Sequence, residues 1–458
     1  MNDLLKKLAK ISSANIVSVF VAVILGLVLP KHLSLEEYAE YKTFTLLAGY
    51  VGIVHFGYVD GVFSLYAGKC IRSINATQLK SELFFFAAIQ CFVSFSGFWI
   101  GVCLGNTLFS LLFLSICFIN ILNYFRKMYQ ATDETKLYTR CLILPSVINL
   151  IITLFFLIRG KTEACLYIIT YICSYCFAVV IECKEISSMT RLADISFEKW
   201  KKHAFYLIKL GWIFLLGNFM VNIFYGIDRI FIKIFFETTA FSYYSFAISM
   251  QNIVVSILQS VTIILYPYLA RVREISSKIR CFVLVVGTFS LCSYFIFEFL
   301  VKTYIVQYVE SLDIIAISVG IFPYMLYINS ITINIYKIKM ENARYFKIIF
   351  CMTLVLVVLN IFATNFGNYK LIAWSTFVCY LVWFYYSRLS KITYMFNNYW
   401  EDIYVNSLTV IFLVLANSST DFSLLLYVFL WLIFSIFYIK SILKTSLRNL
   451  IYSIKVRA

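Results

Sequence analysis

The sequence predicts an all-α integral membrane protein of about 14 transmembrane helices, and three observations carry that reading. Of its 458 residues, 62% are hydrophobic and only 14% charged, with a mean hydropathy of +0.86; soluble domains carry about 25% charged residues. Apolar runs of about 20 residues, enough helix to cross about 30 Å of hydrocarbon, recur between short polar breaks from end to end. None alternates with period two, as the strands of a membrane barrel do.

The first span, 12–30, follows a segment containing Lys6, Lys7 and Lys10; no small-residue cleavage motif comes after it, so it is read as an uncleaved helix. The second, 41–68, is apolar for a membrane thickness except at His55 and Asp60. Spans three to six fall at 83–104, 107–125, 141–158 and 164–181. The sixth holds Cys173 and Cys176, whose C-x-x-C spacing lacks a second pair or nearby histidines, so both are read as small buried apolar residues. The longest inner break, 184–203, then divides the chain. Spans seven to twelve follow at 205–228, 241–269, 281–301, 313–334, 346–363 and 371–387, and the last two at 403–416 and 422–439 precede a basic tail. This gives an N-terminal lobe of six helices in 1–183, a linker at 184–204, a second six-helix lobe in 205–387, and two further helices with the tail in 388–458.

Orientation follows from the basic residues, because positively charged flanks stay on the cytoplasmic side. With the N-terminus inside, inner segments carry 30 of the 39 lysines and arginines and outer segments 8. Both termini are therefore expected in the cytoplasm. The net charge of +16 is then a topology signal with some attraction to anionic lipid headgroups, not a nucleic-acid signal. No break exceeds about 20 residues, so catalytic groups have no extramembrane domain or long loop to hold them. Arg159 to Thr162 resembles the end of a phosphate-binding loop, but Phe155 stands where its first glycine belongs. Glu36, Glu37 and Glu40 in the first outer loop are the only acidic group suggestive of a glycosyltransferase, and a solvated loop beside Lys31 and Lys42 explains them. No cofactor or metal ligand set is expected. A shift of 202 residues aligns Lys31, Tyr41 and Phe44 with Lys233, Tyr243 and Phe246, the trace of an internal repeat.

Two stretches carry a resemblance. The run LPKHLSLEEYAEYKTFTLLAGYVGIVHFGYVDG (29–61) and the run GWIFLLGNFMVNIFYGIDRIFIKIFFETTAFSYYSFAISMQ (211–251) resemble the bacterial O-antigen and polysaccharide flippases of the Wzx family, in the MOP superfamily with the MATE exporters and the lipid II flippases. The pattern departs from the family where Ala39 follows Tyr38 and where Phe241 stands in the second repeat, positions usually held by glycine. The resemblance implies two six-helix lobes around a cavity that opens alternately to either face of the bacterial inner membrane. It implies as cargo an undecaprenyl-diphosphate-linked oligosaccharide, moved to the periplasmic leaflet for O-antigen or capsule synthesis, with a polysaccharide polymerase and a chain-length regulator as partners.

The spans contain polar groups suited to such a cavity. In span seven Gly211, Asn218, Asn222 and Arg229 fall within about 40° of one another, and in span eight Ser245, Asn252, Ser256 and Gln259 within about 60°. Amides facing lipid would be left unpaired, so they face protein or water; interhelical bonding and sugar recognition both satisfy them. His55 sits mid-span, where an imidazole titrating near neutrality either packs or carries a proton. Asp60 lies five residues on and about 140° round a straight helix, so the two are not expected to share a site. Asp60 is expected to brace the inner helix end against Lys69 or Arg72. Arg229 either snorkels to headgroups or pairs with the diphosphate, with Asp228 holding it beforehand, and Lys209 lies one turn inside the inner entrance. The substrate-cavity candidates are thus Asn218, Asn222, Arg229, Asn252, Gln259 and Lys209, and the coupling or gating candidates His55, Asp60 and Asp228. Export of a dianion gains roughly 4–5 kcal/mol per 100 mV if uncompensated, and otherwise needs proton or sodium coupling. The alternatives are a MATE-like exporter, which wants acidic residues deep in its lobes, and a polymerase or glycosyltransferase, which wants an outer catalytic loop.

Overall fold

The computed structural model describes residues 17, 19–190, 193–270, 277–389, 399–418 and 422–457, and every regular element among them is helical. Helix α1 (Val19–His32) occupies the first expected span, whose start lies outside the described residues. The second span is broken into α2 (Leu35–Ala48), a short 3-10 turn (Val51–His55) and α3 (Tyr58–Tyr66). Then come α4 (Ala76–Cys103), α5 (Thr107–Ala131), α6 (Thr135–Ile158), α7 (Ala164–Met189), α8 (Phe197–Phe235) and α9 (Thr238–Leu269). Helices α10 (Ser277–Phe289) and α11 (Ser293–Tyr304) form the ninth span, and α12 (Leu312–Gly320), α13 (Phe322–Tyr327) and α14 (Asn334–Ile338) the tenth. Last are α15 (Asn342–Thr364), α16 (Lys370–Leu389), α17 (Tyr399–Ala416) and α18 (Ser423–Arg457). Among the described residues eleven helices are long and apolar enough to cross a membrane, or twelve if the bent pair of the second span is one crossing. α1 and α16 occupy the other two expected positions without meeting that measure, so fourteen crossings are not established. The expected inner break at 184–203 is largely helix, because α7 runs on to Met189 and α8 starts at Phe197; residues 191 and 192 lie outside the described set.

By packing, the chain forms two compact units, Met1–Gly226 and Ile227–Ala458, which meet in sequence inside α8. In the first, α5 is the hub, touching α2, α3, α4, α6 and α7. Its C-terminal half buries Ile121, Leu122, Tyr124, Phe125, Met128 and Tyr129, an apolar stripe at helical spacing. α4 and α5 form a tight hairpin. Asn106 caps α5 by accepting from the Phe109 amide at 2.9 Å. A Cβ on Gly97 would fall 1.7 Å from the Phe113 ring, so the close approach depends on the missing side chain. On α7, the buried Glu182 takes both arms of Arg140 at 2.7 and 2.8 Å and the Tyr129 hydroxyl at 3.0 Å.

The second unit is braced by a buried ionic cluster: Glu401 of α17 pairs with Arg280 of α10 at 3.0 Å and with Arg388 of α16 at 3.2 Å, and Arg388 also reaches Asp402 at 3.0 Å. α18 joins through the Thr288 peptide and side chain, which take the Tyr427 hydroxyl and the Trp431 indole at 2.8 and 3.1 Å. The last two helices are therefore part of this unit's core. Between α13 and α14 the tenth span winds into a π-turn, Ile328–Ile333, where the Ser330 and Thr262 hydroxyls meet at 2.8 Å and Asn334 donates to the Thr262 carbonyl at 3.2 Å.

The segments that a shift of 202 residues aligns are alike at their start. α2 starts at Leu35 and α9 at Thr238, and the aligned Phe44 and Phe246 are both fully buried. The halves differ further along: the second span breaks at residues 56–57, whereas α9 runs through the aligned positions uninterrupted.

Candidate functional site

The site is built on that break. Gly49, Gly52 and Gly57 punctuate a β-branched stretch, which lowers helix propensity where the ladder fails. Phe56 and Gly57 take left-handed backbone (φ 49° and 83°), and the pieces on either side bend by 64°. The groups freed by the break find partners. The Gly57 amide donates to His55 Nδ1 at 3.2 Å, and the Val51 carbonyl accepts from Asn120 of α5 at 3.3 Å. His55 thus ties the interruption together through a bond to the Gly57 amide, with its Nδ1 committed as an acceptor.

The next step needs glycine three times. A Cβ on Gly57 would sit 2.6 Å from Trp212 backbone, one on Gly61 2.1 Å from the Leu207 carbonyl oxygen, and one on Gly211 2.0 Å from the Gly57 carbonyl oxygen. α3 and α8 therefore cross backbone to backbone, the small-x-x-x-small geometry of membrane helix pairs. The crossing brings the Asn218 amide to 3.3 Å from Asp60 Oδ1, and Lys127 of α5 approaches the same oxygen at 3.5 Å. Further along, the Tyr50 hydroxyl donates to the Asn222 carbonyl at 3.2 Å.

Around these contacts lies a cavity of about 360 Å³, lined by His55, Asp60, Asn123, Arg126, Lys127 and Asn218 among others, with Asn222 and Gln130 also on its wall. Arg126 is fixed by its neighbours: Nε and Nη2 donate to the Cys141 carbonyl at 3.2 and 3.0 Å, and Nη1 points to Asn123 Oδ1 at 3.4 Å. That carbonyl is available because Pro145, four residues on within α6, has no N–H to give it. The lining thus holds two cations against one carboxylate, with three asparagines and a glutamine that both donate and accept.

His55, Asp60, Asn218 and Asn222 come together as cavity residues. The straight-helix expectation that His55 and Asp60 cannot share a site is corrected: the 64° bend turns both onto one cavity. The brace expected from Lys69 or Arg72 is instead Lys127 with Asn218. Lys209 is exposed beside the exposed Phe205 and Trp212 and does not line this cavity. In the second unit Asp228 is buried and accepts from the Tyr244 hydroxyl at 2.9 Å and from the Arg229 amide at 2.7 Å, so its carboxylate is engaged by a phenol and a backbone group. The Arg229 Nε is buried without a hydrogen-bond partner, and Asn252 and Gln259 lie on exposed positions of α9. Glu37, expected in an outer loop, lies in the first turn of α2 and is occupied structurally, accepting from the Ala164 amide at the start of α7.

Sequence reasoning missed Arg126 and Lys127 because it ended the fourth span at Phe125 and counted both as loop charges. α5 continues to Ala131; the apolar Met128 and Tyr129, in helical register with Phe125, were the available signal.

No protein-family model matches this sequence, and no curated protein matches it by sequence. Solved structures do match in fold. The lipid II flippase MurJ in an inward-closed conformation superposes with a TM-score of 0.70 at 15% identity, covering 95% of this chain and 99% of that one. An inward-facing multidrug-resistance MATE family transporter of the MOP superfamily gives 0.55 at 13% identity, over 82% of this chain and 95% of the other. A MOP superfamily transporter from Pyrococcus furiosus gives 0.51 at 11%, over 85% and 96%. At these identities the likeness speaks for the fold: this is a multi-pass, all-α membrane chain with the architecture shared by MurJ and the MATE transporters.

Proposed function

We propose that the protein is a flippase that carries an anionic, lipid-linked saccharide across the bacterial inner membrane by alternating access, with an undecaprenyl-diphosphate-linked oligosaccharide as cargo. The observation that carries this reading is the pairing of Arg126 and Lys127 with amides in one cavity of the first unit. A guanidinium and an ammonium match a diphosphate, and amides match sugar hydroxyls. The volume of about 360 Å³ suits a diphosphate and its first sugar; the rest of the glycan stays in water.

A MATE-like exporter of cations is the second reading, supported by the fold likeness to a MATE transporter. It fits the cavity less well, because Arg126 and Lys127 outnumber Asp60 there. Asp60 neutralises Lys127 while the cavity is empty and yields it to the phosphates. His55 holds the helix break.

The deciding experiment is the sidedness of the lipid-linked oligosaccharide in cells with and without the protein, read by a glycan probe confined to the periplasmic face. Trapping of intact repeat units on the cytoplasmic side in its absence, repeated by Arg126→Gln, supports the reading. Single units that still reach the outer face unpolymerised would overturn it.

A further inference from the structure

Five carboxylates are withdrawn from solvent inside the described helices: Glu82, Glu182 and Glu401 at 0% exposure, Asp228 at 4% and Asp60 at 6%. Glu182 is paired with Arg140, Glu401 with Arg280 and Arg388, and Asp60 with Lys127; Asp228 accepts the amide of the adjacent Arg229. Glu82 and Asp228 form no ion pair among the described residues, and Asp228 has the charge of Arg229 beside it in sequence. Glu82 Oε2 accepts from the Tyr66 hydroxyl at 2.8 Å and its Oε1 from Gln78 Nε2 at 2.8 Å. Both partners are neutral.

The nearby cation, Lys69, forms no ion pair with this carboxylate among the described residues. From α3, Tyr58 bonds the Glu82 carbonyl at 3.4 Å, and the ammonium of Lys69 lies over the Tyr66 ring, 5.5 Å from its centre. From α5, Tyr124 stacks on Phe86 and its hydroxyl is buried without a hydrogen-bond partner, while Tyr129 is committed to Glu182. From α7, Glu182 is itself neutralised by Arg140. From α8, His203 Nδ1 stands 3.3 Å from Gln78 Nε2, and Trp200 packs on Phe85 at 5.0 Å. A charge buried without an ion pair is costly, and a proton removes the cost while needing neither added volume nor added ligands.

The segment leading into α8 closes this place. Lys80 donates to the Ala193 carbonyl at 2.7 Å, the Ser196 amide donates to Ser81 Oγ at 2.8 Å, and Trp200 and His203 complete the cover. We propose that Glu82 is a proton-binding site of this protein, and that docking of residues 193–203 onto α4 closes over it, so that closure takes up one proton. This site is separate from the cation-lined cavity and does not depend on what the cavity carries. Closure is then favoured at low pH and opposed as pH rises, because the open state releases the proton to water.

Hydrogen–deuterium exchange of residues 193–203 in the purified full-length protein, corrected for intrinsic rates across pH 6 to 8, tests this. Wild-type protection is expected to fall with rising pH, by up to tenfold per unit for one proton. Glu82→Gln, a permanently neutral mimic, is expected to be protected and flat with pH, whereas His203→Gln keeps the wild-type slope. A wild-type slope retained in Glu82→Gln, or lost only in His203→Gln, overturns the proposal. Should Glu82→Gln fail to fold, the wild-type protein still decides. Its infrared band from a protonated carboxylic acid must disappear in step with the protection, and its absence at low pH overturns the proposal.

Discussion

Arg126 of α5 donates two nitrogens to the Cys141 carbonyl of α6, an acceptor left free because Pro145 cannot donate to it. A cation that would otherwise swing on a flexible stem is held in a fixed plane at the cavity wall, and a helix defect is repaired by the same bonds. Lysine cannot reproduce that fork. Arg126→Lys is expected to keep the fold and lose most transport, by tenfold or more, in the periplasmic glycan-accessibility assay. Pro145→Ala restores a backbone donor for Cys141 and is expected to leave Arg126 less fixed, weakening transport while raising thermal stability.

Lys127 and Asp60 should separate by sign. Removing the ammonium in Lys127→Gln is expected to weaken binding of a diphosphate-bearing lipid by about 1.5–3 kcal/mol, the worth of a charged hydrogen bond. Asp60→Asn frees Lys127 and is expected to tighten binding while slowing release. Equilibrium binding to the purified protein checks both, and equal binding by all three proteins would remove the cavity from cargo recognition.

The crossing of α3 and α8 tolerates no side chain at its centre. Gly61→Ala and Gly211→Ala each place a methyl within about 2 Å of backbone and are expected to cost at least 1–3 kcal/mol, the usual price of overpacking, seen as a lowered Tm in detergent. Gly217→Ala, with nothing within 4 Å, serves as the control and is expected to be neutral or slightly stabilising.

His55→Leu removes the acceptor used by the Gly57 amide. The expected outcome is a loss of about 0.5–1.5 kcal/mol in stability with an unchanged pH profile of transport. A pH profile flattened by this substitution would instead make His55 a proton carrier.

Glu401→Gln leaves Arg280 and Arg388 buried without their shared carboxylate and is expected to destabilise the second unit by about 3–5 kcal/mol. Expression and thermal unfolding of the full chain measure it. Near-wild-type stability would show that water reaches the cluster.

How far the sequence was legible depends on which signal each feature leaves. Long apolar runs announce helices, and the runs at 83–104 and 164–181 became α4 and α7. His55, Asp60, Asn218 and Asn222 stood out because polar groups in apolar helices are costly, and they line one cavity. The break at Phe56 and Gly57 was not legible, since three glycines in a β-branched run fit either a tight helix crossing or an interrupted helix. Without the break, the angle between His55 and Asp60 was computed on a helix that does not exist. Arg126 and Lys127 were hidden by a hydropathy boundary that any charged pair would trigger, and Glu82 by standing one residue before the apolar stretch of its helix.

The interruption of the second span also has a mechanical meaning. α2 rests on α5 and α7, while α3 packs on α5 and is also pinned to the α8 backbone through Gly57 and Gly61. With no continuous hydrogen-bonded ladder between them, a displacement of α8 can tilt α3 without dragging α2, as a jointed lever moves about its pin. Its counterpart α9 is an unjointed rod of 32 residues. The two aligned segments thus differ in continuity, and the joint lies beside Asp60, which meets Lys127 of α5.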